Sequence, residues 1–404
     1  MKQHFLKAGH LPSLIAAFLY FDVSFMVWVL LGPLAVQIAR DLSLDAAQKG
    51  LMVATPVLAG AIFRVVAGIM VGQLKPKQAG TILQALVIAG LLTAWLFGVH
   101  SFAQVIALGI VLGIAGASFA VALPLASYWY PAEHQGKVLG IAGAGNSGTV
   151  FASLFAPSLA IQFGWTNVLA LAAIPLVVIF ALFLVLAKDS PHCPPPRPLA
   201  AYTKLLKISD TWWFMFLYSV TFGGFVGLAS SLPIFFNDEY RLDPVTAGYF
   251  TAACVLAGSF LRPVGGLIAD RIGGINALSV FYTVAALTLI SVSLGSFSAD
   301  AGLAIFIVAM GALGMGNGAV FQLVPQRFRR DVGVVTGLVG MTGGIGGFYL
   351  ASSLGYAKQL SGTYQPAFLI FAGLALAALA AITLLKKHWR TAWADAVALG
   401  GARV

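Results

Sequence analysis

Charge is what this sequence lacks most. Only 9% of its 404 residues are charged, and acidic residues number 13, where a typical soluble domain devotes about a quarter of its residues to charge. Such a chain cannot coat a water-facing surface, which excludes a two-domain soluble enzyme, a disordered chain and a nucleic-acid-binding protein. Cysteine is just as scarce. Cys193 and Cys254 lie in unrelated contexts and make neither a disulfide framework nor a metal cluster, and nothing in the sequence calls for a metal or a cofactor. What is plentiful is apolar: 60% of residues are hydrophobic and the mean hydropathy is +0.94. The chain reads as an all-α polytopic membrane protein whose partner is the lipid bilayer.

A helix needs about 20 apolar residues to cross the hydrocarbon core. Runs of that kind fall near 14–38, 50–73, 79–98, 103–129, 137–161 and 167–187, and again near 212–236, 246–269, 276–297, 302–324, 333–357 and 364–385. Lys2 and Lys7 precede the first run, but it is too long for a signal-peptide core and has no small-residue cleavage site. Between the two sets lies a polar stretch, 188–210, with Pro191, Pro194, Pro195, Pro196 and Pro198, a density that no helix interior tolerates. The predicted organisation is a six-span bundle over 1–187, a cytoplasmic linker over 188–210, and a second six-span bundle with a short tail over 211–404.

Orientation follows the positions of Lys and Arg. With the N-terminus inside, 17 of the 23 cationic residues fall in cytoplasmic segments and only Arg40, Lys49, Arg241 and Lys358 fall in outer loops. The net charge of +10 is therefore a topology signal, with both termini cytoplasmic. The two remaining cations, Arg64 and Arg262, lie inside spans.

These two arginines mark an internal repeat. Val57-Leu-Ala-Gly60 followed by Arg64, Val66 and Gly68 recurs as Val255-Leu-Ala-Gly258 followed by Arg262, Val264 and Gly266. Gly136, Val138, Gly140 and Gly143 match Gly333, Val335, Gly337 and Gly340. A duplicated six-helix unit commonly holds its substrate between the halves, with rocking of the halves giving alternating access. Twelve spans with a central linker resemble the major facilitator superfamily. Gly266-Leu-Ile-Ala-Asp270-Arg271-Ile-Gly273 resembles its gating loop between spans 8 and 9. The counterpart, Gly72-Gln-Leu-Lys75-Pro-Lys77, is degenerate and lacks the Asp.

A guanidinium at mid-span is costly and cannot escape by deprotonating. An internal ion pair would need buried carboxylates, and the spans offer only Asp22 for two arginines. The other reading is an electropositive cavity whose counter-charge is a small anionic substrate. A planar fork of donors suits a flat oxyanion, although phosphate or a dicarboxylate also suits two arginines. The glycine runs on spans 5 and 11, Gly140-Ile-Ala-Gly143-Ala-Gly145-Asn146-Ser147-Gly148 and Gly337-Leu-Val-Gly340-Met-Thr-Gly343-Gly344-Ile-Gly346-Gly347, allow close helix packing. Asn146 could bond a substrate or bridge helices.

Paired arginines on spans 2 and 8 with these two glycine-rich segments resemble the nitrate/nitrite porter family over nearly the whole chain. The resemblance implies that Arg64 and Arg262 bind the anion, that Asn146 contacts it, and that Tyr218, Phe222 and Phe119 wall it. By packing alone those aromatics would read as ordinary helix contacts. It implies Gly143, Gly145, Gly148, Gly340, Gly343, Gly344, Gly346 and Gly347 as packing and gating glycines. Asp22, the carboxylate within a span, is a candidate proton carrier or makes a helix-packing hydrogen bond with Ser24 or a neighbouring helix. The expected activity is uptake of nitrate, and possibly nitrite, across the cytoplasmic membrane by proton symport in a functional monomer. Electroneutral nitrate/nitrite exchange is the alternative, and another small oxyanion a third reading.

Overall fold

The computed structural model describes residues 5, 8–131, 134–193, 199–295, 297–328 and 332–392. Its architecture is all-helical. Twelve helical stretches are long and apolar enough to cross a membrane, and they form two six-helix bundles. In the first bundle α1 is Leu11–Trp28, α2 Ala35–Asp41, α3 Ala46–Leu74, α4 Pro76–Phe97, α5 Phe102–Gly116, α6 Phe119–Ser127, α7 Gln135–Gly143, α8 Gly148–Phe163 and α9 Trp165–Leu186. A short α10, Leu199–Leu206, follows the prolines of the linker. The second bundle holds α11 Ser209–Tyr240, α12 Pro244–Ile272, α13 Gly274–Ser293, α14 Ala299–Arg327, α15 Val332–Ser361 and α16 Gln365–Ala392. Side chains such as Phe97, Val185 and Leu384 project outward, as a lipid-facing surface requires.

Three spans are interrupted where the sequence reads as continuous. The first helix stops at Trp28 and resumes at Ala35. Pro33 cannot donate to the helical ladder, and Gly32 sits so close to α11 that a Cβ would lie 2.7 Å from the Ser230 carbonyl oxygen. Span 4 breaks between α5 and α6, where Ala120 N bonds the Ala117 carbonyl in place of that of Gly116. Span 5 tightens into a 3₁₀ turn, Ala144–Ser147, between α7 and α8.

The degenerate loop between α3 and α4 keeps an acid nearby. The Lys77 amide donates to the Asp189 carboxylate at 2.9 Å, placing negative charge at the positive end of α4. The matching loop after α12 turns at Gly273, and Asp270 and Arg271 are exposed.

The bundles meet on the face farther from the linker, hereafter the distal face. Gly50 on α3 abuts Gly355 on α15, and its repeat mate Gly248 on α12 abuts the Ser153 carbonyl on α8. Lys49 pairs with Asp238 at 3.3 Å, and the Ala46 amide donates to Gln359 at 3.2 Å. Glycines on the linker-side halves of several spans have no such neighbours. A Cβ on Gly72, Gly140, Gly143 or Gly337 would meet nothing within 4 Å among the described residues.

Candidate anion site between the two bundles

Arg64 lies buried at the boundary between the bundles, 3% exposed. Its Nε donates to the Gly116 carbonyl at 3.1 Å, an oxygen released by the break between α5 and α6. Its Nη1 donates across the bundle boundary to the Gly340 carbonyl at 2.6 Å. The guanidinium carbon stands 5.1 Å from the Trp28 ring centre and 5.0 Å from that of Phe222, with Phe119 at 5.9 Å. The Trp28 and Phe222 rings are nearly parallel, 11° apart, with centroids separated by 6.5 Å. The cation is therefore held by π-faces and carbonyl dipoles, both of which favour positive charge.

Arg262, on the opposite bundle, is held differently. Its guanidinium stands 5.7 Å from the Phe321 ring centre and faces the Tyr218 hydroxyl, while its buried Nη1 has no hydrogen-bond partner. The two guanidinia act electrostatically on each other. Among the described residues the ion pairs are Lys49 with Asp238, Arg327 with Asp210 and Lys358 with Glu239; none neutralises Arg64 or Arg262. A buried donor of a permanent cation left without an acceptor is costly, and a small anion between the two groups would supply the missing acceptors.

Of the other sequence-predicted residues, Phe119, Phe222 and Tyr218 lie beside the guanidinia. Tyr218 and Phe222 stack at 5.2 Å and 9°, both buried. Phe119 approaches Phe321 at 6.3 Å. Asn146, 2% exposed, sits in the 3₁₀ turn, and its buried Oδ1 has no partner; rotating the amide would offer its NH₂ donors instead. Asp22 accepts a hydrogen bond from Ser147 Oγ at 2.6 Å, not from Ser24.

The glycines divide by environment. Gly145 packs on Phe21, Gly148 on the Asp22 backbone, Gly343 on Tyr218 and Phe222, Gly344 on Ala61, Gly346 on the Ser219 backbone and Gly347 on Val226. Gly143 faces open space, and Gly340 approaches only Phe119, at 3.9 Å.

Sequence reasoning missed Trp28 and the carbonyls of Gly116 and Gly340. Trp28 is fully buried, its Nε1 donates to the Pro56 carbonyl at 2.7 Å, and Gly60 and Gly116 leave room for its ring. The glycine in register on two neighbouring helices was its only trace in the sequence.

Comparison with known proteins gives the context. Residues 14–351 match the model of the Major Facilitator Superfamily. The chain is 34% identical to a protein named probable nitrate/nitrite transporter NarK2 of Mycobacterium tuberculosis, covering 89% of this chain and 90% of that one. It is 33% identical to the nitrite extrusion protein of Bacillus subtilis, covering 96% and 95%, and 30% identical to the probable nitrate/nitrite antiporter NarK1 of Thermus thermophilus, covering 92% and 89%. Among solved structures, a bacterial homolog of the human lysosomal transporter Spinster, inward-facing and occupied, superposes with a TM-score of 0.71 at 16% identity over 93% of this chain and 96% of that one. That likeness extends to the fold alone. The chain belongs to the nitrate/nitrite porter family of the major facilitator superfamily and is a multi-pass membrane protein.

Proposed function

We propose that this protein is a secondary active carrier of nitrate, with nitrite as a related substrate, and that Arg64 and Arg262 clamp the anion between the bundles. The observation that carries this reading is a pair of intramembrane guanidinia, one from each bundle, with no carboxylate partner and one donor unmet. The names of the relatives support the choice of anion. The guanidinium fork matches a flat oxyanion, and Tyr218, Phe222 and Phe119 line the space around the two cations.

Lys and Arg concentrate on the linker face, so that face and both termini are assigned to the cytoplasm. Residues 1–187 and 211–404 act as the two rocking units, and 188–210 joins them. A single copy of the chain contains both halves of the site and works as a monomer. The exposed Asp270 and Arg271 serve as the cytoplasmic gating loop.

Uptake of an anion into a negative-inside cell runs uphill by about 2.3 kcal/mol per charge per 100 mV. Co-transport of more than one proton overcomes that field, and Asp22, in the interior of α1, is the proton site. The relatives named for antiport and nitrite extrusion favour a second reading, electroneutral exchange, which needs no proton. Proteoliposomes separate the two. Symport predicts nitrate uptake driven by an inward pH gradient that Asp22→Asn abolishes, with nitrate/nitrite counterflow retained. Uptake that ignores the gradient in the unaltered protein assigns it to exchange.

A further inference from the structure

The 3₁₀ turn that carries Asn146 is tied to Asp22 by a single hydroxyl. Ser147 Oγ lies 2.6 Å from Asp22 Oδ1 and 2.8 Å from the Ala144 carbonyl oxygen. Both of these oxygens accept hydrogen bonds when Asp22 is ionised, yet a serine has one hydrogen to give. With Asp22 ionised, the charged acceptor wins that hydrogen, since charge-assisted bonds are roughly twice as strong as neutral ones. The Ala144 carbonyl then loses its side-chain donor. With Asp22 protonated, the direction reverses: the carboxylic O–H donates to Ser147 Oγ, and the serine hydrogen turns to Ala144. That second bond runs from Ser147 to the residue three positions earlier and closes the turn around Asn146.

We propose that Ser147 is a positioning residue that reports the protonation state of Asp22 to the turn carrying Asn146, so that proton and anion bind with positive coupling. The proposal rests on the reading of Asp22 as the proton site. The backbone gives the relay its stiffness. Gly148 lies directly against the Asp22 carbonyl and Gly145 against the Phe21 ring, so the turn cannot drift from α1 when the hydrogen bond switches. A 3₁₀ segment within a longer helix commonly marks a functional hinge, and this one is the junction of α7 and α8.

The surroundings leave Asp22 as the switch. The helices packed on this part of the first bundle carry few titratable groups. On α3 they are Lys49, paired with Asp238, and Arg64, bonded to two carbonyls. α5, α6, α8 and α9 have none, and α7 has Lys137. On α1 itself Tyr20 donates to the Gly80 carbonyl at 3.4 Å. α12, which packs on the turn, has Tyr249, Cys254, Arg262, Asp270 and Arg271. The hydrogen-bond donors at the Asp22 carboxylate are Ser147 and the Gly148 amide.

The test is nitrate binding to the full chain in nanodiscs, compared at mildly acidic and mildly alkaline pH. The unaltered protein should bind about tenfold tighter at the acidic pH, within the usual range of site–site coupling. Ser147→Ala should flatten that ratio, and Ser147→Thr, which keeps the hydroxyl, should restore it. Asp22→Asn, whose amide donates to Ser147 as a protonated acid does, should hold the acid-like affinity at both pH values. Infrared difference spectra add a second readout: the Asp22 carboxylic C=O band should appear on acidification and shift in Ser147→Ala. If the alanine variant does not fold, Ser147→Cys, with its weak thiol donor, takes its place. A Ser147→Ala protein that keeps the full pH ratio while Asp22→Asn loses it overturns the relay and leaves Asp22 as the proton site. A ratio that survives in Asp22→Asn overturns that underlying reading, and the relay with it.

Discussion

Arg64 Nη1 donates to the Gly340 carbonyl at 2.6 Å, from α3 of one bundle to α15 of the other. The same guanidinium takes the Gly116 carbonyl through Nε, so it is engaged by two backbone oxygens while Arg262 keeps a buried donor free. The two arginines are thus equivalent in the repeat and unequal in this conformation. If the proposed site is correct, an arriving anion would meet the unmet donor of Arg262 first and displace the Gly340 carbonyl from Arg64 second. Through this bond Arg64 joins the two bundles at the candidate site.

This geometry sets the first prediction. Arg262→Lys and Arg64→Lys keep the charge and lose the planar fork. Losing one or two charge-assisted hydrogen bonds at about 1.5–3 kcal/mol each lowers nitrate affinity by about 100-fold. Isothermal titration of each variant with nitrate checks this, and unaltered affinity in either one removes that guanidinium from the site.

The glycines should separate by what stands opposite them. An alanine at Gly148 drives its Cβ into the Asp22 carbonyl, and at Gly346 into the Ser219 carbonyl. Neither backbone can yield without moving a helix, and overpacking of this kind costs about 1–3 kcal/mol or more. Gly143→Ala has nothing within 4 Å to meet and a helical φ of −71°, so it should gain about 0.5–1 kcal/mol from helix propensity. Thermal unfolding in detergent should therefore rank Gly143→Ala at or above the unaltered protein, with Gly148→Ala and Gly346→Ala well below it.

What the sequence made legible, and what it did not, follows from where the information sits. Arg64 and Arg262 stand out because a charge in an apolar run has few innocent explanations, and their spacing of 198 residues exposes the repeat. Asn146 stood out as an amide within an apolar helix, whereas Tyr218, Phe222 and Phe119 entered through a family resemblance, since Phe alone occurs 29 times and an aromatic in a span says little by itself. Trp28 was lost in that same background. The carbonyls of Gly116 and Gly340 are backbone atoms and carry no side-chain signature. The breaks after Trp28 and at Ala144–Ser147 depend on helix-to-helix approach, which hydropathy does not encode.

Closure of the distal face rests in part on Lys49 and Asp238, which join α3 to α11 at 3.3 Å. Asp238 also accepts from the Tyr364 hydroxyl at 2.8 Å, so its carboxylate is held in place before Lys49 arrives. A partly exposed pair is worth up to about 1 kcal/mol, enough to shift an open–closed equilibrium about fivefold. Lys49→Gln should therefore favour the state open on the distal face, and the exchange Lys49→Asp with Asp238→Lys should largely reverse the shift. A cysteine replacing Ala351, which is fully buried in α15 behind the contact of Gly50 with Gly355, reports the opening. Its labelling by a membrane-impermeant thiol reagent should rise in the single variant and fall back in the exchange. Equal labelling in all three proteins would remove this pair from the gate.

The two halves also differ at the turn that ends spans 2 and 8. Lys75 joins α3 to α4 with φ 69° and ψ 159°, and its repeat mate Gly273 joins α12 to α13 with φ 88° and ψ 141°. Only glycine occupies that region without strain, and another residue there costs about 1–3 kcal/mol. The first half has thus kept the turn and lost the residue that suits it, with the Asp189 carboxylate on the Lys77 amide helping to hold the distorted junction. Lys75→Gly should stabilise the protein by about 1 kcal/mol, after allowing for the greater freedom of glycine in the unfolded chain. Gly273→Lys should destabilise it by about the same amount or more. Melting temperatures of the two variants in one detergent check both signs, and a Lys75→Gly protein less stable than the unaltered one would mean that the lysine side chain contributes more than the turn strain removes.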